Sequence, residues 1–107
     1  MKRLKFDSSL VPLILSGEKT VTWRLFDDKN LSVGDELEFI ERQSNNLFSR
    51  ATIISVTEKT WGEIDEADFE GHEKFTNYEE MIETYQKYYN GKVDKNTLVK
   101  VIRFKIK

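Results

Sequence analysis

The chain has no cysteine, and only one proline and one histidine, in 107 residues. The missing cysteine excludes disulfide staples, thiolate zinc sites and a cysteine nucleophile, and suits a reducing compartment. With His72 as the lone imidazole, a metal centre would need mostly carboxylates, and no spacing of them makes one. His72 itself reads as a loop or surface residue rather than a ligand or general base. Neither a metal nor a cofactor is expected. There is no glycine-rich phosphate loop of either familiar type, and no serine–histidine–aspartate arrangement follows from spacing. No apolar run is long enough to cross a bilayer, and the opening Met1-Lys2-Arg3-Leu4-Lys5-Phe6 leads into no signal-peptide core. A soluble, cytoplasmic protein with no membrane partner is therefore expected, taken as a monomer.

The excess of one charge is also small. A formal net charge of −2 excludes a broad basic field for holding nucleic acid non-specifically. The distribution is uneven, however. Glu58–Glu83 carries ten acids against Lys59 and Lys74, whereas Lys92–Lys107 carries six bases against Asp94 alone. These are either ordinary solvated faces or the two sides of a local basic groove. What is present in quantity is hydrophobic and aromatic material, 38% and 12% of the chain, which is enough for one modest core in one domain.

Read in order, Leu4–Phe6 is a short strand, and Asp7-Ser8-Ser9 supplies capping side chains for a helix over Leu10–Leu15. Pro12 fits only the first turn of that helix, and Gly17 sits where a left-handed residue would end it. Asp27–Asn30 is a polar loop and Ser32–Asp35 a turn. Strands follow at Leu37–Ile40 and Phe48–Val56, joined by a hairpin at Gln43–Asn46. In the second of these, Ala51, Ile53 and Ser55 alternate with Thr52, Ile54 and Val56, so both faces look at least partly covered. Trp61–Ile64 and Ala67–Phe69 read as helical turns. Thr76 and Glu79 form a capping box for a helix carrying Tyr78, Met81, Ile82, Tyr85 and Tyr89 on one side, a stripe read as core contact rather than a stacking platform. Asn90-Gly91 ends it, and Thr97–Ile106 is the last strand, with Val99, Val101 and Arg103 opposed to Leu98, Ile102, Phe104 and Ile106. Short strands without βαβ spacing predict a small barrel rather than a parallel sheet.

The chain is organised around Gly17–Arg24, Gly-Glu-Lys-Thr-Val-Thr-Trp-Arg. One strand parity holds Val21, Trp23 and Leu25, which places Trp23 in the core. The other holds Thr20, Thr22 and Arg24, with Lys19 at the strand mouth. Two hydroxyls, a guanidinium and an ammonium suit a polar or anionic ligand, and they equally suit an edge strand with a solvated face.

This stretch resembles the glycine–x–lysine–x–x–threonine/glutamate–x–arginine signature of ASCH domains, which are PUA-like barrels. The similarity extends to the helix before the signature, the Val33-Gly34-Asp35 turn, the Gly71-His72-Glu73 segment and the closing Val99–Phe104 strand. The resemblance implies a single ASCH domain over 1–107: an α+β, small PUA-like β-barrel of about five or six strands flanked by two or three helices. It also implies a role in RNA metabolism. A small stand-alone branch of the family is similar to amidohydrolases that deacetylate N4-acetylcytidine. In that branch a lysine and a threonine of the signature act with a downstream glutamate. The matching positions are Lys19, Thr22 and Glu73, with Glu70 as the alternative glutamate.

Cleaving an amide needs a nucleophile, proton transfers and stabilisation of an oxyanion. Thr22 could supply the hydroxyl, Lys19 the base and Glu73 a proton shuttle to the leaving nitrogen. Alternatively, Glu73 activates water while a charged Lys19 binds the oxyanion. Strict alternation would set Lys19 opposite Thr22, so this chemistry requires the Gly17-Glu18 turn to rotate Lys19 out of register. The sequence leaves three functions open. The first is an amidohydrolase. The second is a non-catalytic RNA-binding module, with Gly17, Thr20, Arg24, Arg50 and Arg103 as ligand contacts. The third is a protein adaptor using exposed aromatics near Trp61.

Overall fold

Strand β1 (Lys2–Phe6) buries Leu4 and Phe6 and exposes Arg3 and Lys5, the alternation of a half-covered sheet edge. In the computed structural model, which describes residues 1–26, 29–72, 78–90 and 93–107 without the side chains of Glu66 and Tyr78, β1 leads into a 3-10 turn over Ser8–Leu10. The Asp7 carboxylate caps that turn by accepting from the Ser9 N–H. Helix α1 (Val11–Ser16) follows with Pro12 in its first turn. Gly17 ends it at φ +86, donating to the Ile14 carbonyl, so the left-handed residue expected there is present. The Lys19 N–H then donates back to the Leu13 carbonyl. This reversal delays β2 to Val21–Leu25.

The remaining strands are β3 (Glu36–Glu41), β4 (Leu47–Thr60) and β5 (Leu98–Ile106). Two 3-10 turns, Trp61–Glu63 and Glu66–Phe69, occupy the acidic middle, and α2 (Tyr78–Tyr88) precedes β5. Thr76, Asn77 and Gly91, on which the expected start and stop of α2 depend, lie outside the described residues. The strands form one sheet in the order β1-β3-β4-β5-β2, parallel only between β1 and β3. The sheet curls into a half-barrel whose two edge strands are β1 and β2. This is the α+β, PUA-like architecture expected, with five strands and two helices among the described residues.

Simple alternation fails in β4. The register with β5 slips between Ile53 and Ser55, a bulge that leaves Ile54 more than half exposed and brings Val56 back opposite Ile102. The partial cover expected on that parity holds at the half-buried Thr52 and Val56 but not at Ile54, because the extra residue reverses the parity of everything after it.

Each face of the sheet carries its own core. Leu4, Phe6, Leu37, Phe39, Ile53, Ile102 and Phe104 pack with Ile14 of α1 on one face. Val21, Trp23, Leu25, Val99 and Val101 pack with Trp61 and with Met81 and Tyr85 of α2 on the other. The two parities read along β5 are the two cores. Trp61 has no exposed surface, which removes it as the centre of an exposed aromatic docking patch.

Candidate functional site

Because β1 and β2 end the sheet without pairing to each other, the half-barrel stays open between them, and a cleft of about 360 Å³ lies along this seam. That volume falls within the roughly 300–1,000 Å³ of small-molecule sites. Strand β2 contributes most of the cleft's chemistry. Its Val21, Trp23 and Leu25 parity is committed to the core beneath α2, which turns Thr22 and Arg24 to the opposite face. Thr22 is only 4% exposed and still borders the cleft. Its Oγ1 accepts a hydrogen bond from Arg24 Nε at 3.2 Å. Arg24 Nη2 donates across the seam to the Lys5 carbonyl at 3.0 Å, and the guanidinium lies 4.7 Å from the Phe6 ring centre. Arg24 thus ties the two open edges together.

Lys19 is the most deeply buried cation among the described residues, at 2% exposure. Its Nζ donates to the Val21 carbonyl at 2.7 Å and it lines the same cleft as Thr22. Regular pleating starts only at Val21, so Lys19 precedes the strict alternation of β2. A second strap holds the start of β2. The Thr20 and Val21 N–H groups both donate to the Gly71 carbonyl, at 2.7 and 3.1 Å. Gly71 is at φ +79, and a Cβ there would stand 2.0 Å from Thr20 Oγ1. Only glycine fits this approach.

The strap delivers His72 into the core rather than to the surface. It is 6% exposed, its ring stacks on Trp23 at 3.8 Å between centroids, and its Nε2 is 3.1 Å from the Tyr85 hydroxyl. His72 does lie in a loop, as expected, but the expectation of a surface imidazole is corrected, because the ring is buried. A large indole at Trp23 offers a flat apolar partner that a surface reading of His72 ignored. Glu73, the expected third member of the site, lies outside the described residues, and the alternative Glu70 is exposed, its carbonyl accepting from Arg103.

Of the candidates named from the sequence, Lys19, Thr22 and Arg24 come together at the cleft. Gly17 and Thr20 shape the entry to β2 without lining it. Arg50 sits on β4 opposite Glu38, 3.7 Å from its carboxylate. Arg103 shares its face of β5 with Val99 and Val101 and donates to the Ala67 and Glu70 carbonyls. Neither borders the cleft.

Sequence reading passed over the rest of the lining. Tyr85, Tyr88 and Tyr89 of α2 and its end reach the cleft, as do Phe26, Lys29, Arg42 and Asp7. Tyr85 and Tyr89 carry a signal in their helical spacing that points to core contact, whereas Tyr85 is both core and cleft wall; Tyr88 lies off that stripe. The Tyr89 hydroxyl accepts the Leu25 N–H at 3.2 Å, covering part of the open edge of β2. Arg42 carried no local signal. It arrives because its N–H donates to the Phe6 carbonyl and the next residue, Gln43, bridges Asp7 and Ser8. Hydrogen bonds from the Ser9 hydroxyl and N–H and from Gln43, with the Arg42 charge nearby, hold the Asp7 carboxyl below its ordinary value. Among the described residues no cluster of histidine and carboxylates is placed to hold a metal.

No family model matches the chain, and none of the curated proteins matches it in sequence. Solved structures do match. The hypothetical protein PH0355 aligns over 100% of both chains at 20% identity and a TM-score of 0.75. A protein of Enterococcus faecalis, of family DUF984, aligns over 92% of this chain and 69% of its own at 18% identity and a TM-score of 0.75. An ASCH domain from Lactobacillus crispatus aligns over 92% of this chain and 70% of its own at 17% identity and a TM-score of 0.70. The fold is that of ASCH domains. At these identities the likeness carries the ASCH fold and leaves its chemistry to be argued from this chain's own residues.

Proposed function

We propose that this protein belongs to the ASCH family by descent as well as by fold, that its seam cleft binds a modified nucleoside, free or within RNA, and that it hydrolyses the N-acyl amide of N4-acetylcytidine. The observation that carries this reading is the joint burial of Lys19 and Thr22 against one nucleoside-sized cleft. Aromatic rings at Phe26, Tyr88 and Tyr89 offer faces for a base, and Arg24 stands beside the Thr22 hydroxyl. In the proposed reaction Lys19 enters as the neutral amine, and Thr22 Oγ1 attacks the acetyl carbonyl while its proton passes to the Lys19 Nζ lone pair. The carbonyl oxygen becomes an oxyanion beside Arg24, and collapse expels cytosine N4 with a proton, releasing cytidine and leaving an acetyl ester on Thr22. Water then cleaves the ester to acetate, and Lys19 returns its proton to the departing Thr22 oxygen. Glu73 would deliver the proton to N4.

A second reading, RNA binding without turnover, draws support from the five cationic side chains that line the cleft against Asp7 alone among the described residues. Acetate release from N4-acetylcytidine separates the two. Wild type should turn over, and Lys19→Ala and Thr22→Val, each shown to be folded, should lose about 100-fold or more in rate. A folded wild-type protein that releases no acetate from N4-acylated cytidines would leave the binding reading.

A further inference from the structure

The cations at the cleft mouth are held in two different ways. Arg24 spends its donors on the fold: Nε on Thr22, Nη2 on the Lys5 carbonyl, and its plane against Phe6. Arg42 spends only its backbone. Its N–H is fixed to the Phe6 carbonyl at 2.8 Å, and the adjoining Gln43 side chain is locked between Asp7 and Ser8. The guanidinium itself lies over the Tyr88 ring, 5.4 Å from its centre, and makes no hydrogen bond or ion pair among the described residues. Tyr88 is 43% exposed, so ring and guanidinium stand together at the open end of the cleft.

An arginine laid on an aromatic face keeps its in-plane N–H donors directed outward. A neutral nucleoside offers such a fork only uncharged acceptors, such as cytosine O2 and N3. A phosphate does, because its oxygens match the guanidinium fork in a bidentate, charge-assisted contact. The nearby Asp7 carboxylate is turned to other partners, accepting from Ser9 on one oxygen and Gln43 on the other.

On the reading of the cleft as a nucleoside site, we propose that its ligand carries a phosphate and that Arg42, seated on Tyr88, is the residue that contacts it. The preferred ligand is then a nucleotide, free or within a strand, rather than the nucleoside.

The test is calorimetric binding of cytidine 5′-monophosphate and cytidine to wild type, Arg42→Ala, Arg42→Lys and, as a control of equal charge change, Arg3→Ala, whose side chain pairs with Glu38 away from the cleft. Wild type should bind the monophosphate about tenfold tighter than the nucleoside at low salt, a ratio that shrinks as salt rises. Arg42→Ala should bring the ratio to within about twofold, Arg42→Lys should restore part of it, and Arg3→Ala should keep it. Equal affinities in wild type, a ratio that survives Arg42→Ala, or no binding of either compound overturns the proposal. A uridine–cytidine–uridine trinucleotide that binds tighter than the monophosphate places the phosphate in a strand; one that binds no tighter places it on a free nucleotide. The amidohydrolase reading fails separately, by absence of acetate release from a protein that still shows the phosphate preference.

Discussion

The two faces of the sheet are built from different material. The core against α1 is aliphatic and phenylalanine-rich, with Phe39 edge-on to both Phe6 and Phe104 and no polar atom that needs a partner. The core against α2 is made of Trp23, Trp61 and Tyr85 with His72 among them, linked by stacked and edge-on contacts and by a polar contact between His72 and Tyr85. The first face can exclude water by area alone. The second must also place rings at defined angles and satisfy imidazole and phenol. Strand β2 belongs to both, with its indole in one core and Thr22 and Arg24 on the other side, so the cleft is sited where the two systems meet.

The comparison is most easily broken at Trp23. Trp23→Ala should cost about 3–5 kcal/mol in urea unfolding, the usual range for removing a buried aromatic, and should abolish the proposed nucleoside binding with it. Phe39→Ala should cost a similar amount yet leave ligand affinity in the folded fraction unchanged, since Phe39 does not border the cleft. Comparable loss of affinity in both variants would mean that the cleft depends on global stability and not on the aromatic face.

A smaller effect sharpens the same contrast. Gly71→Ala must strain a left-handed residue and push against Thr20 Oγ1, at a cost of about 2 kcal/mol. It should weaken binding more than a surface change of equal stability cost, because Gly71 clamps the start of β2. A drop below about 0.5 kcal/mol would show that the strap yields.

The smallest effect is electrostatic and lies at the cleft mouth. The folded Asp7 carboxyl is held below its ordinary value of 3.8. It therefore contributes stability above that pH, and the contribution disappears as pH falls through the lower folded value. The stability difference between wild type and Asp7→Asn should accordingly narrow below pH 3.8. A difference that stays constant across the acid range would exclude the ionised carboxylate as its source.

Most of the element order was legible in the sequence because its signals are local. Gly17 marked a helix end through the conformation only it adopts cheaply, Asp7 marked a cap, and alternation along β2 and β5 marked two opposed faces. The bulge at Ile54 was not legible, since one extra residue reverses parity without a distinctive side chain. The burial of His72 was not legible for a related reason: a lone imidazole is polar by composition, and only Trp23 and Tyr85, distant in sequence, make its burial favourable.

By itself, the sequence determined the faces of β2 and β5, the reversal at Gly17 and the presence of Lys19 and Thr22 in one motif, because hydrogen bonding and side-chain alternation act over a few residues. Only the tertiary structure decided that Arg42, Asp7 and the tyrosines of α2 share a cleft with that motif, while Arg50 and Arg103 do not. Strand order and curl set those distances, and they arise from packing both faces of one sheet at once, a condition that no local stretch of chain expresses.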